Sequence, residues 1–322
     1  MDEKKAIVFD IGRYRHTDGP GIRTIIFFKG CPLRCKWCSN PFGLSPKLQL
    51  SVNPERCLGC GRCVLLCERE VNSLLEAKVQ VDFSKCTHCF ACIPSCLGQN
   101  RAITGKAYTA RELFEEAYKD LAFYRKQGGG VTLSGGEALM QPDVAIELLR
   151  LCRSNYLNTC LETSAYTSWD ILQEAARYCH TVFVDLKHMN PQTHRELTGV
   201  GNERILENIV QLCQWAPERG CRVILRIPII PGYNDEEENL IRAAQFIRRL
   251  KGNPEVNLLP YHNLGEQKYP MIGREYEPDI PAMLQNQDSV MQRSKRILEG
   301  HVAENRVSLG GDSIALTGRG TR

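Results

Sequence analysis

A parallel α/β fold interrupted by one cysteine-rich insert is predicted for these 322 residues, on three observations. From about residue 105 onward, short apolar runs alternate with helix-length amphipathic segments, as repeated βα units do. A strand-like run, Arg23–Phe28, precedes them. Between the two, residues 52–102 hold eight of the sixteen cysteines and lack helix-length periodicity.

The elements follow in order. Thr109 and Glu112 form a capping box, and Leu113, Ala117, Leu121 and Tyr124 then share one helical face. Gly128-Gly129-Gly130 stops that helix, and Val131-Thr132-Leu133 reads as a buried strand. Further strands are expected over 157–162, 181–186, Arg222–Ile229 and 256–260, separated by helices over 142–153, 168–178, Glu203–Trp215 and 235–251. In the last helix Asp235 is the expected cap, Glu236–Glu238 sit at the positive end, and Arg248, Arg249 and Lys251 sit at the negative end, which describes a solvated face. Six strands with right-handed crossovers leave two architectures open, a doubly wound sheet or a barrel-like wrap. The expected division is 1–51 and 103–300 for the core, 52–102 for the insert, and 301–322 for a Gly-rich, partly disordered tail.

Composition narrows the function. Apolar residues make up 43% and charged residues 24%, and the net charge of +4 is spread with no basic stripe, which argues against nucleic acid. MDEKKAIVFD lacks the apolar stretch of a signal peptide, and no window has the ~18 apolar residues of a membrane span, so a cytoplasmic protein is expected. A reducing compartment disfavours disulfides, so the cysteines need another explanation. Eleven of them lie between Cys31 and Cys96 in short regular spacings; Cys152, Cys160, Cys179, Cys213 and Cys221 read as small buried hydrophobes.

Cys31-Pro-Leu-Arg-Cys35-Lys-Trp-Cys38 places three thiols directly after the Phe27-Phe28-Lys29-Gly30 strand end. Thiolates suit zinc or iron–sulfur clusters. Three thiolates on a four-iron cubane leave one iron open to substrate, whereas a structural zinc wants a fourth ligand, and His16 and Cys57 are poor candidates. The open-site cluster is the preferred reading. C-x3-C-x2-C with an aromatic residue before the last Cys resembles the radical S-adenosylmethionine enzymes. The fuller string Asp18-Gly-Pro-Gly-Ile-Arg-Thr24 … Gly30-Cys-Pro-Leu-Arg-Cys-Lys-Trp-Cys-Ser-Asn-Pro41 is similar to the signature of glycyl-radical-enzyme activating enzymes, such as pyruvate formate-lyase activase, and the likeness runs through most of residues 7–300.

That resemblance implies a partial (β/α)6 barrel and a cluster at Cys31, Cys35 and Cys38 that cleaves S-adenosylmethionine. The product is a 5′-deoxyadenosyl radical, which takes hydrogen from a glycine of a partner enzyme. Ser134-Gly135-Gly136-Glu137 matches the family's methionine-binding motif, with Glu137 toward the ammonium. Trp37 and Ser39 flank Cys38 as cosubstrate contacts, and Asp185-Leu186-Lys187 matches another contact segment in which Lys187 serves catalysis. Glu162-Thr163 stands where relatives place an Asp-Thr pair beside a monovalent cation and the methionine carboxylate, with Glu replacing Asp. Arg226 in Leu225–Gly232 matches the arginine that pairs with the carboxylate, and His262 in Pro260-Tyr-His-Asn-Leu-Gly265 matches the histidine by the adenosyl group. Asp18 matches the residue that meets the partner's glycine loop. Independently of any family, Gly135–Glu137, Glu162, Asp185–Lys187, Arg226 and His262 all fall at carboxyl ends of expected strands, where parallel α/β folds build sites.

Cys57-x2-Cys60-x2-Cys63-x3-Cys67 and Cys86-x2-Cys89-x2-Cys92-x3-Cys96 are two copies of the bacterial ferredoxin run. In such pairs the fourth cysteine of each run serves the other cluster, which groups Cys57, Cys60 and Cys63 with Cys96, and Cys86, Cys89 and Cys92 with Cys67. Glu68 and Leu97 stand where proline is usual. Three [4Fe-4S] clusters are thus expected, the auxiliary pair as an electron relay or as a structural docking module. The family implies flavodoxin or ferredoxin as donor and a monomer that docks transiently. Two rivals are a radical enzyme that modifies a small molecule or peptide, and a simple electron carrier; the carrier leaves the Cys31 loop and the Gly135–Glu137 motif unexplained.

Overall fold

The computed structural model describes residues 3–278, 285–302 and 306–310. The chain opens with β1 (Lys5–Arg15) and β2 (Arg23–Phe28), an antiparallel pair. The insert carries β3 (Gln49–Val52), helix α1 (Arg62–Leu65), β4 (Asn72–Leu75), β5 (Lys78–Val81) and β6 (Arg101–Thr104). The main sheet resumes with β7 (Lys106–Thr109), β8 (Gly130–Gly135), β9 (Asn158–Thr163), β10 (Thr181–Asp185), β11 (Arg222–Ile229), β12 (Glu255–Pro260) and β13 (Val307–Leu309). Between them run α2 (Ala110–Tyr118), α3 (Leu121–Gln127), α4 (Pro142–Ser154), α5 (Trp169–Ala176), α6 (Pro191–Thr198), α7 (Glu203–Trp215), α8 (Glu237–Arg249) and α9 (Gln287–Glu299).

The sheet order is β13-β12-β11-β10-β9-β8-β2-β1-β7, with every pair from β2 to β13 parallel. Neighbours follow chain order without reversal. Right-handed crossovers then place all the connecting helices on one face, whereas a doubly wound sheet must reverse. The barrel-like alternative therefore holds, as a partial barrel whose open edges are β7 and β13.

Side-chain alternation gives the sheet two faces. Leu161, Val182, Val184, Val223 and Leu225 join the helices in the main apolar core. On the opposite face Cys160, Phe183 and Ile224 form a small apolar floor. Two residues further along the same strands that face presents Glu162, Asp185 and Arg226, so the carboxyl edge is polar where the floor is not.

All six expected strands are present; β1, β7 and β13 are additions to the same sheet, and β3 to β6 are additions in the insert. β13 lies inside the stretch expected to be a tail and makes a seventh parallel strand; that stretch beyond residue 310 lies outside the described residues. The capping box at Thr109 and Glu112 is formed, but the single helix expected after it is two, α2 and α3. Asp120 breaks it, because its buried carboxylate turns inward to accept from Arg13 Nη1 (2.7 Å) and Thr24 Oγ1 (2.6 Å). Asp235 does not cap α8: its carboxylate accepts from Gly232 N–H at 2.6 Å, and Glu236 holds the N-cap position. The five scattered cysteines are all buried.

The insert leaves and rejoins the core through one antiparallel ribbon, β3 with β6, pairing Gln49 with Thr104 and Val52 with Arg101. β4 and β5 form a hairpin beyond it. Its small core packs Leu50, Val52 and Val79 against Cys57, Cys63, Cys86 and Cys92.

Candidate active site at the carboxyl edge of the sheet

The loop after β2 carries Cys31, Cys35 and Cys38 and is pinned from two sides. On one, Gly30 N–H donates to Gly43 O (2.7 Å) and Cys31 N–H to Leu44 O (3.3 Å). On the other, the last carbonyls of α6 accept from the loop, Thr198 O from Arg34 N–H (2.6 Å) and Leu197 O from Lys36 N–H (3.0 Å). Tyr269 Oη donates to Cys38 O at 2.9 Å, and Lys268 Nζ donates to Ser39 O at 3.2 Å. Trp37 is buried against Leu197, Ile230 and Tyr261.

Burial pushes all three thiols up, Cys35 to about 12. Lys187 beside Cys35 and Cys38, with Lys268 and Arg274 beside Cys38, acts in the opposite sense. Metal binding takes thiols as thiolates, and the surrounding ammonium and guanidinium groups then oppose the negative charge of the cluster. Among the described residues no three His, Cys, Asp or Glu side chains converge around a single-ion position, and a cubane, which takes one thiolate per iron, does not ask for that. The donor set fits an iron–sulfur cluster.

Ser134–Glu137 turns behind this loop, and the reason for its glycines is visible. Gly135 has φ +119°, and a Cβ there would meet Phe28 N at 2.3 Å. A Cβ on Gly136 would meet Gly43 O at 2.3 Å and Gly30 O at 2.5 Å, so the two glycines let strand β8 press directly on the backbone of the cysteine loop. Glu137, expected toward an ammonium, is 2% exposed and already engaged. Its carboxylate accepts from Thr163 Oγ1 (2.9 and 3.0 Å), Ser164 N–H (2.8 Å), Ser164 Oγ (2.7 Å) and Leu139 N–H (3.2 Å). It ties the β8 turn to the β9 turn.

Glu162, Arg226 and Asp18 come together. Arg226 Nη1 pairs with Glu162 and lies 3.7 Å from Asp18 Oδ1, while its guanidinium stacks 3.9 Å above the Phe183 ring. Ser134 Oγ donates to Glu162 at 2.6 Å. Burial raises the Glu162 pKa to about 7 against the opposing pull of Arg226, with Asp18 adding to the rise. The carboxylate expected beside a monovalent cation is thus held by Arg226 and Ser134. Arg226 Nε is buried without a partner, an unspent donor on the residue expected to pair with a carboxylate.

Asp185 and Lys187 are joined at 2.6 Å, and Lys187 is 8% exposed with its pKa raised by Asp185 and Cys35 over the opposing effect of burial. Leu186 N–H donates to Arg226 O at 2.8 Å, which links this turn to β11. His262 is exposed, and partial desolvation, then Lys268, lower its pKa. Its neighbour Tyr261 is the one packed on Trp37.

In the insert, Cys57, Cys60, Cys63 and Cys96 line one small cavity, the grouping expected from the run rule. Cys60 and Cys89 are exposed. Several functional contacts had no reading in the sequence. Asn234 is fully buried and donates to Lys187 O (2.9 Å) and Pro228 O (2.6 Å), fixing the Asp185–Lys187 turn. Helix α6, whose end holds the cysteine loop, was legible as Asn190-Pro191 before it and Gly199 after it. Ser164 and Tyr269 carry no such signal.

Residues 83–244 match the Radical SAM superfamily, 49–97 a 4Fe-4S dicluster domain, and 17–61 a 4Fe-4S single cluster domain. The chain is 40% identical to the choline trimethylamine-lyase activating enzyme of Oleidesulfovibrio alaskensis, over 86% of this chain and 90% of that one. It is 41% identical to the isethionate sulfite-lyase activating enzyme of Desulfovibrio desulfuricans, over 85% and 88%. Among solved structures, Streptococcus suis SuiB bound to precursor peptide SuiA matches with TM-score 0.50 at 13% identity, over 91% of this chain and 49% of that one. At that identity the likeness concerns the fold alone. Among the described residues no helix is long and apolar enough to cross a membrane.

Proposed function

Since the chain belongs to the glycyl-radical-enzyme activating enzymes of the radical S-adenosylmethionine superfamily, we propose a role in that chemistry for each side chain on its carboxyl edge. The enzyme cleaves S-adenosylmethionine reductively, and the 5′-deoxyadenosyl radical so made takes a hydrogen atom from a glycine of a partner glycyl radical enzyme. Cys31, Cys35 and Cys38 hold the cluster that supplies the electron. Arg226 receives the methionine carboxylate through its spare Nε, oriented by Glu162 and by the Phe183 face. Ser134–Gly136 form the wall behind the cysteine loop, and Glu137 keeps that wall fixed rather than meeting the ammonium. Lys187 and Asp185 place a charge pair beside the cluster, Trp37 and Ser39 line its edge, His262 borders the adenosyl group, and Asp18, partly exposed beside Arg226, faces the incoming glycine loop.

The observation that carries this reading is the convergence on one edge of the Arg226–Glu162–Asp18 cluster, the Lys187–Asp185 pair and the cysteine loop held by the end of α6. Two further clusters, on Cys57, Cys60, Cys63 and Cys96 and on Cys86, Cys89, Cys92 and Cys67, would relay electrons from a flavodoxin or ferredoxin. The cavity shared by the first four supports that assignment. The enzyme is read as a cytoplasmic monomer. The units 1–51 with 103–300, and 52–102, stand as core and insert, a division supported by the β3–β6 ribbon at the junction. Relatives named for a choline lyase and an isethionate lyase match almost equally, so the partner is given as a class.

Anaerobic reconstitution tests the whole. About twelve irons per chain are expected for three cubanes, and dithionite with S-adenosylmethionine should release 5′-deoxyadenosine. Addition of a glycyl radical enzyme should give a glycyl radical signal in electron paramagnetic resonance. Nucleoside release without that signal for any such partner would favour a modifier of small molecules or peptides; no release would leave an electron carrier.

A further inference from the structure

Arg101 belongs to neither cysteine run. It stands in β6 across from Val52, and it is 4% exposed. Nη1 donates to Cys92 Sγ at 3.3 Å and Nη2 to Asn72 Oδ1 at 2.8 Å. Asn72 completes the bridge by donating to Cys63 O at 3.0 Å, and Nε is buried without a partner. Cys63 lies in the set that lines the insert's cavity, whereas Cys92 lies in the other set. One buried cation therefore bonds a sulfur of one set directly and reaches a ligand residue of the other through Asn72.

A guanidinium held in a low-dielectric interior by sulfur and amide partners alone is costly. Two anionic clusters would supply the missing counter-charge. We propose that Arg101 is the shared counter-charge of the two auxiliary clusters, bonding Cys92 of one directly and Cys63 of the other through Asn72, and raising both reduction potentials. The proposal rests on the two-cluster reading above. Reduction adds negative charge, so a nearby cation and N–H···S bonds favour the reduced form and raise the potential. A planar fork can hold the Cys92 sulfur and the Asn72 amide oxygen at once, which an ammonium at the end of a flexible stem does less well. Because both clusters gain from the same group, their potentials rise together.

The test uses full-length, reconstituted protein, with iron analysis and redox titration followed by electron paramagnetic resonance. Arg101→Gln should lower both auxiliary midpoints, each by about tenfold in the reduction equilibrium, or 59 mV for one electron. The Cys31 cluster midpoint should stay in place. Arg101→Lys, which keeps the charge without the fork, should shift them less. Both clusters loaded with unchanged midpoints, or a shift confined to one, would overturn the proposal. If Arg101→Gln fails to hold iron, Arg101→Lys decides: lowered midpoints in both auxiliary clusters support the shared role, and midpoints unchanged, or lowered in one cluster alone, refute it. Wild-type protein that binds only about four irons would instead overturn the two-cluster reading.

Discussion

Replacing Gly136 by alanine should damage catalysis through backbone displacement alone. The new methyl would lie 2.3 Å from Gly43 O and 2.5 Å from Gly30 O, inside the 3.0 Å that real Cβ atoms essentially never cross. Both obstacles are main-chain oxygens, so no side chain can swing away. Relief requires the cysteine loop to retreat from β8 by about 1 Å, a displacement that can cost about a hundredfold in rate even when the reacting groups are untouched. The retreat would weaken the Glu137 N–H to Gly30 O bond and the Gly30 N–H to Gly43 O bond, each 2.7 Å. Two such bonds at about 1 kcal/mol each, with a modest overpacking term, give a loss of about 3 kcal/mol. Denaturant unfolding reads the stability, and 5′-deoxyadenosine formation per loaded cluster reads the rate. Gly220→Ala is the control for an added methyl: its φ of +68° carries a backbone strain that Gly136 does not, but a Cβ there meets nothing within 4 Å. Gly136→Ala turning over at the wild-type rate with iron fully loaded would refute the claim that this contact positions the loop.

Other expectations follow from the same geometry. Glu137→Gln should cost about 3 kcal/mol in denaturant unfolding, because an amide group would face donors that now meet a carboxylate; a loss no larger than that of Ser164→Ala would count against the tie between turns. Arg226→Ala should weaken S-adenosylmethionine binding by about ten- to a hundredfold in calorimetry, the worth of a charged hydrogen bond, whereas unchanged affinity would remove Arg226 from the site. His180, half-buried and accepting from Thr159 N–H at 3.0 Å, has its pKa lowered to about 4 by desolvation. Between pH 6.5 and 4 the unfolded chain takes up this proton and the folded chain does not, so stability should fall as pH falls through that window; with allowance for partial exposure the loss is about 2 kcal/mol. His180→Gln should flatten the profile, and an unaltered slope would contradict the assignment. Cys60→Ala combined with Cys89→Ala should slow turnover with a protein donor more than with dithionite; equal rates in intact protein would argue against a relay.

The fold was legible where local pattern and tertiary demand agree. The six parallel strands are short apolar runs between amphipathic helices, and their carboxyl ends, with Glu162, Asp185 and Arg226, were visible as site positions before any coordinates. Strands β1, β7 and β13 were not, because β1 is charge-rich along an outer pair and β13 has only three residues. The break between α2 and α3 escaped for another reason. It answers to Arg13 and Thr24, residues about a hundred positions away, and no helical period encodes that demand. The cysteines declared themselves by spacing, but Glu137 did not declare its partners: a carboxylate in a glycine turn reads alike whether it awaits a ligand or binds the next turn. Arg101, five residues past the last ferredoxin cysteine, carried no signal in the sequence until its burial against the Cys92 sulfur was seen.

The ribbon of β3 and β6 has a consequence for how such a chain is assembled. Because Val52 and Arg101 face each other, nearly fifty residues depart and return through a doorway one strand-spacing wide. The entropy of closing that loop is met at the doorway and rises only slowly with what hangs beyond it. A redox cartridge of this sort can be lengthened, exchanged or deleted in evolution while the surrounding strands keep their register, much as a plug-in component leaves its socket unchanged.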